Sequence, residues 1–116
     1  MKLADKKCIP CEDSSIAPLS CDEALKLMDE YSNELNNWIM SDDCKKISIV
    51  CILPDFVTAM QFVNKIADIA ESLGHHPDIT IQYSRVELNV WTHSIKGLSE
   101  NDFILAAKIN EIDKTK

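Results

Sequence analysis

The sequence predicts an α+β fold: one four-stranded antiparallel sheet with three helices packed on one face. Three observations predict it. Apolar residues switch between helical and alternating spacing along the chain, and cap signals stand ahead of each helical stretch. The resulting order is helix, strand, strand, helix, strand, strand, helix, and no internal repeat breaks it.

Residues 1–18 are polar and punctuated by Pro10 and Pro18, so they read as an N-terminal arm ahead of a single domain over 19–116. Ser20 and Glu23 then form a capping box, and Leu25, Met28, Tyr31 and Leu35 recur at helical spacing. That predicts a first helix over about 21–35. Asn36-Asn37 is a turn, Trp38-Ile39-Met40 a short strand, and Ser41-Asp42-Asp43 a second turn. Lys46 to Leu53 is rich in β-branched residues and makes the second strand.

Pro54-Asp55 breaks that strand, and Asp55 caps a long helix whose stripe runs from Phe56 through Ala59 or Met60, Val63, Ile66 or Ala67 and Ala70 to Leu73. Gly74 stops it. Ile79, Ile81 and Tyr83 alternate with Thr80 and Gln82, and Val86, Leu88, Val90 and Thr92 alternate with Arg85, Glu87, Asn89 and Trp91. These are two half-buried strands joined tightly at Tyr83–Arg85. Leu98-Ser99-Glu100-Asn101-Asp102 supplies a second capping box for the last helix, which carries Ile104, Leu105, Ala106, Ile109 and Ile112.

Composition narrows the function. With 46% hydrophobic residues, 2 Gly and 4 Pro among 116 residues, the chain can bury a single core without a metal or disulfide framework. A net charge of -7, with no basic run longer than Lys6-Lys7 or Lys45-Lys46, opposes nucleic-acid binding. The first residues lack the apolar stretch of an export signal and the longest apolar run, Ile49 to Leu53, cannot cross a bilayer, so a cytoplasmic location is expected. Five cysteines, an odd count, predict reduced thiols. Cys8-Ile9-Pro10-Cys11 has the spacing of a redox pair or half a zinc site, but no second pair or redox fold accompanies it.

All three histidines fall between positions 75 and 93, two of them adjacent in Gly74-His75-His76-Pro77-Asp78. Pro77 forces His76 into extended backbone, so the two rings project in different directions. His93 follows the last strand. If the two strands around the Tyr83 turn are paired, the start of one and the end of the other lie at the same end of the sheet, where His75, His76 and His93 converge. Imidazoles titrate near neutrality, so one ring can donate a proton while another accepts one, the pair of actions that eliminating water requires.

The plainer alternative is two surface loop histidines and an unrelated strand-end histidine. Zinc binding is a further alternative, made awkward because Pro77 holds two adjacent histidines apart, and no metal is expected. Glu71, one turn before His75, is placed to orient an imidazole or simply to face solvent. Asp102 serves as the N3 member of a capping box whether or not it reaches the site. Trp91 offers a ring face to a flat heterocycle, or packs an interface.

These residues carry a resemblance. Asp55-Phe56, Glu71-x-x-Gly74-His75-His76-Pro77-Asp78, Tyr83, Val86, Thr92-His93, Gly97-Leu98-Ser99-Glu100-x-Asp102 and Ala106-Ala107-x-Ile109 resemble the pterin-4a-carbinolamine dehydratase family from about Pro54 to Ile112. The N-terminal stretch from Cys8 to Ser20 is similar to the extension of many bacterial-type members. Ser84 stands where the family often has Asn, and the aliphatic Ile47–Leu53 strand departs from a more aromatic or polar pattern, which bears on the oligomer interface.

The resemblance implies dehydration of a 4a-hydroxytetrahydropterin to quinonoid dihydropterin, in tetrahydrobiopterin recycling after an aromatic amino-acid hydroxylase, without a cofactor. It implies His75 and His93 as proton-transfer residues, His76 as a pterin-binding residue, and Thr92, Asp102 and Glu71 as residues that line or support the site. It further implies a homo-oligomer, a tetramer or dimer, built by sheet-edge pairing and helix packing, with a hydroxylase or regulator as a further partner. The alternative within the same family is a non-catalytic module acting as a transcriptional cofactor.

Overall fold

The computed structural model describes residues 18–92 and 95–112, so the arm up to Ala17, with Cys8 and Cys11, lies outside the described residues. The elements run α1 (Cys21–Glu30), β1 (Ile39–Met40), β2 (Ile47–Ile52), α2 (Phe56–Leu73), β3 (Asp78–Gln82), β4 (Arg85–Val90) and α3 (Glu100–Asn110). The strands pair antiparallel in the order β1-β2-β4-β3. The expected α+β architecture is the one present.

Alternation decides the faces. Ile47, Ile49 and Cys51 of β2 and Val86, Leu88 and Val90 of β4 are buried, and the helices cover that face through Ala24 of α1, Phe62 and Ile66 of α2, and Phe103 to Ala107 of α3. Fully burying a side chain the size of Phe62 or Ile66 stabilises the fold by about 1.5–3 kcal/mol. The opposite row, Ser48, Val50 and Ile52 beside Arg85, Glu87 and Asn89, is left uncovered by the helices. β3 is an edge strand and buries less than its alternation predicts: Ile79 is half-buried, while Ile81 and Tyr83 are exposed.

Caps set the helix limits. Ser20 and Glu23 bond reciprocally at the start of α1, and Asp55 accepts the Thr58 N–H at 2.8 Å at the start of α2. Those bonds to the ionised form hold both carboxyls below their ordinary range, in each case chiefly through the backbone N–H. α1 ends at Glu30, five residues before the predicted limit. Tyr31 to Leu35 continues as turns, with the Leu35 N–H donating to the Tyr31 carbonyl, so Leu35 is buried at helical spacing without belonging to the helix.

One expectation is corrected. Cys21 and Cys44 are joined by a disulfide, their Cα atoms 5.2 Å apart, whereas the odd cysteine count predicted reduced thiols throughout. The tertiary path brings together two cysteines 23 positions apart, which a count cannot see. Cys51 is buried and takes no part in a disulfide. Closing a loop of this length restricts the unfolded chain by about 3 kcal/mol. Cys21→Ser is therefore expected to lower the unfolding free energy by about that much in oxidising buffer, and to match the parent under excess dithiothreitol. Identical urea curves in both buffers would show that the pair is not joined in solution.

Candidate active site

α2 ends where its backbone turns left-handed. Gly74 adopts φ 66°, and a Cβ there would meet nothing within 4 Å, so glycine is needed for the backbone conformation and not for space. The Gly74 and His75 N–H groups return to the Glu71 and Ala70 carbonyls, at 3.3 and 3.1 Å. This turn carries His75 inward. Its side chain is 4% exposed, whereas that of His76 is 59% exposed, so the adjacent rings occupy different environments, as Pro77 requires.

The His75 ring meets a carboxylate. Its Nε2 lies 2.5 Å from Oδ1 of Asp102, a residue of the first turn of α3 with no exposure to solvent. The other carboxylate oxygen accepts the Thr92 hydroxyl and the Ser99 N–H, both at 2.8 Å. Thr92 and Ser99 are also joined through their hydroxyls at 2.9 Å. Three chain segments, the end of α2, the end of β4 and the start of α3, therefore meet on one buried carboxylate.

The loop after β4 is held by a bridge between Thr92 and Gly97, the Thr92 N–H donating to the Gly97 carbonyl at 2.9 Å. A Cβ on Gly97 would stand 2.9 Å from Cβ of Pro18, so glycine here allows two segments to pass closely. The Leu19 N–H donates to the Leu98 carbonyl at 2.8 Å, tying the entry of the domain to the same loop.

An ionised carboxylate only accepts, so the bond to Asp102 assigns the proton to Nε2 of His75 and leaves Nδ1 as the basic nitrogen. The arrangement fixes the tautomer and orientation of one imidazole, as acid–base chemistry needs.

The predicted site residues divide. His75, Thr92 and Asp102 come together in the buried network. Glu71 lies apart from it, 79% exposed, 3.5 Å from His76 across a solvent-screened pair of small energetic worth. His93 lies outside the described residues. Ser99 was legible only as a cap, and its hydroxyl bond to Thr92 makes it part of the network. Trp91 donates its indole N–H to Asp78 at 3.2 Å. Among the described residues no group of three or more His, Cys, Asp or Glu side chains comes together as a candidate metal set.

Fold and network together define a class: a small α+β domain with a carboxylate-oriented histidine at the end of its sheet. The chain belongs to the pterin 4 alpha carbinolamine dehydratase family, whose family model matches residues 17–112. A Rickettsia bellii relative, named provisionally as a pterin-4-alpha-carbinolamine dehydratase, is 47% identical over 93% of this chain and 91% of its own. Pterin-4-alpha-carbinolamine dehydratase 2, mitochondrial, of Arabidopsis thaliana is 39% identical over 95% of this chain and 58% of its own. A Brucella melitensis structure described as a transcriptional coactivator/pterin dehydratase superposes with TM-score 0.70 at 34% identity, over 80% of this chain and 95% of that one. A pterin dehydratase-like RuBisCO assembly factor of the alpha-carboxysome shares the fold alone, at TM-score 0.56 and 15% identity, over 66% of this chain and 89% of that one.

Proposed function

We propose that this chain removes water from a 4a-hydroxytetrahydropterin to give quinonoid dihydropterin, in the recycling of a tetrahydropterin. The observation that carries this proposal is the buried His75–Asp102 pair, a histidine held in one tautomer in a chain of the dehydratase family. In the step, the C4a–O bond breaks and the hydroxyl leaves as water with a proton from a general acid. The N5–H bond gives its proton to a general base, and its electron pair forms the N5=C4a double bond. No oxidant, metal or cofactor is required for that balance.

His75 takes the base's part through Nδ1, because the Asp102 carboxylate behind Nε2 compensates the charge of a second proton. His93, the residue after Thr92, takes the acid's part. Thr92 and Asp102 organise His75 from behind, while His76, exposed beside Glu71, is a binding residue for the pterin. A freshly prepared 4a-carbinolamine mixed with the protein should lose water faster than in buffer. A rate equal to buffer rejects the assignment.

The chain is further proposed to assemble as a dimer or tetramer through the outer edge of β2. Past Ser48 that strand has no neighbour on its β1 side among the described residues, and Ile39, Val50, Ile52, Phe56 and Val57 are exposed nearby. Ile52→Lys should move the particle from oligomer to monomer in light scattering. A parent protein already monomeric at micromolar concentration would end that proposal.

The second function, a protein-binding or transcriptional cofactor role, is favoured by the description of the Brucella melitensis structure. A variant lacking all three histidines that still co-purifies with a hydroxylase or regulator would support it as an added role. Among the described residues no helix is long and apolar enough to cross a membrane, and the cytoplasm is the proposed location.

A further inference from the structure

The uncovered face of the sheet carries a cleft of about 550 Å³ that the proposed proton transfers do not use. Lys45, Lys46, Lys96, Trp91, Asp78 and Asn89 line it, and Asp43 closes one side. Its size is that of a small-molecule site. Its charge is unusual for this chain. The net charge is -7, yet three of the seven basic residues in the described segments line this one cleft.

The lysines are held at fixed backbone positions. The Lys45 N–H donates to Ser41 Oγ and Asp43 Oδ1, at 3.2 and 3.1 Å, and the Lys46 N–H to Ser41 Oγ at 3.2 Å. The turn just before them is joined to α1 through Cys44, which adopts φ 57°. Lys96 sits at φ 52° in the loop that the Thr92–Gly97 bridge closes.

Both carboxylates of the cleft accept hydrogen bonds from neutral donors. Asp43 accepts the Ser41 hydroxyl at 2.6 Å and Asp78 the Trp91 indole N–H at 3.2 Å. Among the described residues none of the three ammonium groups is ion-paired. The cleft thus presents an indole and three cations outside any salt bridge among the described residues, with Lys45 near Asp43 and Lys46 near Glu87 as weaker charge neighbours. That combination takes a planar heterocycle joined to an anionic group.

The cleft adjoins the proposed active site along the chain, with Trp91 partly exposed where Thr92, the next residue, is buried. Trp91 precedes Thr92, which holds the carboxylate that holds His75, and Asp78 stands two residues after His76. The β3–β4 ladder ends with Asp78 opposite Asn89, two residues from His76 on one strand and from Trp91 on the other.

Resting on the dehydratase assignment above, we infer that the substrate is a reduced pterin whose side chain ends in phosphate or carboxylate, laid past Trp91 onto Lys45, Lys46 and Lys96. An uncharged dihydroxypropyl tail would offer the three cations no salt bridge.

The test compares 4a-carbinolamines that share the ring and differ in the tail, one dihydroxypropyl, one phosphorylated and one ending in glutamate. Parent protein and Lys45→Gln/Lys46→Gln/Lys96→Gln are assayed at low and high salt. The expected KM for at least one anionic substrate is about tenfold below that of the neutral one, a gap that closes in the triple variant and in high salt. The phosphate and glutamate arms show which anion is preferred. Equal KM values for all three tails in the parent overturn the inference.

If no substrate is turned over, the dehydratase assignment fails, and tryptophan fluorescence then decides the subsite. Quenching by neopterin phosphate or pteroylglutamate, but not by neutral biopterin, and lost in the triple variant, would uphold an anion-recognising cleft. Equal or absent quenching by all of them would overturn it.

Discussion

Alanine in place of His75 is expected to slow carbinolamine dehydration by about 10²–10⁴-fold, the usual contribution of a positioned general acid or base. The reason is geometric. His75 alone among the described histidines is buried, and its Nε2 is committed to Asp102, which holds the ring in one tautomer and one orientation. Circular dichroism should show the variant folded, because the Asp102 carboxylate keeps the Thr92 hydroxyl and the Ser99 N–H. Added imidazole should restore part of the rate, since the variant vacates the volume of the ring beside Asp102. A His75→Ala protein turning over at the parent rate would remove the histidine from the mechanism.

The second large effect is expected at Asp102, where stability and rate change together. Asp102→Ala removes the shared acceptor of three donors in a site closed to water, and should cost about 3–5 kcal/mol in urea unfolding. Asp102→Asn keeps the volume but replaces one acceptor oxygen by an NH₂ group. That group must then face the Thr92 hydroxyl and Ser99 N–H, or the His75 ring. The asparagine variant should lose less stability than the alanine variant, about 1–3 kcal/mol, yet still fall well below the parent in kcat, because His75 is no longer held in its tautomer. An alanine variant with the parent's urea midpoint would show that the carboxylate does not organise the site. An asparagine variant with the parent's kcat would show that orientation of His75 is immaterial.

Much of the fold follows from residue spacing. The β3–β4 hairpin is visible as alternation on both sides of Tyr83, and Tyr83 adopts the positive φ of 55° that a tight reversal requires. α2 is visible from Asp55 to Gly74 because both of its end signals are local chemistry. α1 was extended too far for a definable reason. Successive turns over 31–35 keep the same i to i+4 hydrogen bond at Leu35 that a helix would, so apolar periodicity does not tell them apart. β3 was expected to be half-buried, but its place at the sheet edge exposes Ile81, and alternation carries no information about strand order.

The candidate site divides in the same way. His75, Thr92 and Asp102 each stand at motif positions, and the capping box at Ser99 and Asp102 is plain from spacing alone. Their union was not. Asp102 as a cap would ordinarily face water, but α3 is buried along nearly its whole length, so the same carboxylate becomes an interior acceptor.

Local order decides whatever depends on residues within a turn or two of each other. The element types, the helix starts, the Gly74 stop and the divergence of His75 from His76 are all of this kind, because caps, backbone preferences and side-chain alternation act over a few residues. Contacts between distant segments required the folded chain. The Cys21–Cys44 disulfide, the His75–Asp102 bond across 27 positions and the gathering of Lys45, Lys46 and Lys96 beside Trp91 all depend on how the sheet is ordered and which face the helices cover. Nothing in the neighbourhood of any one of those residues records where the others will be.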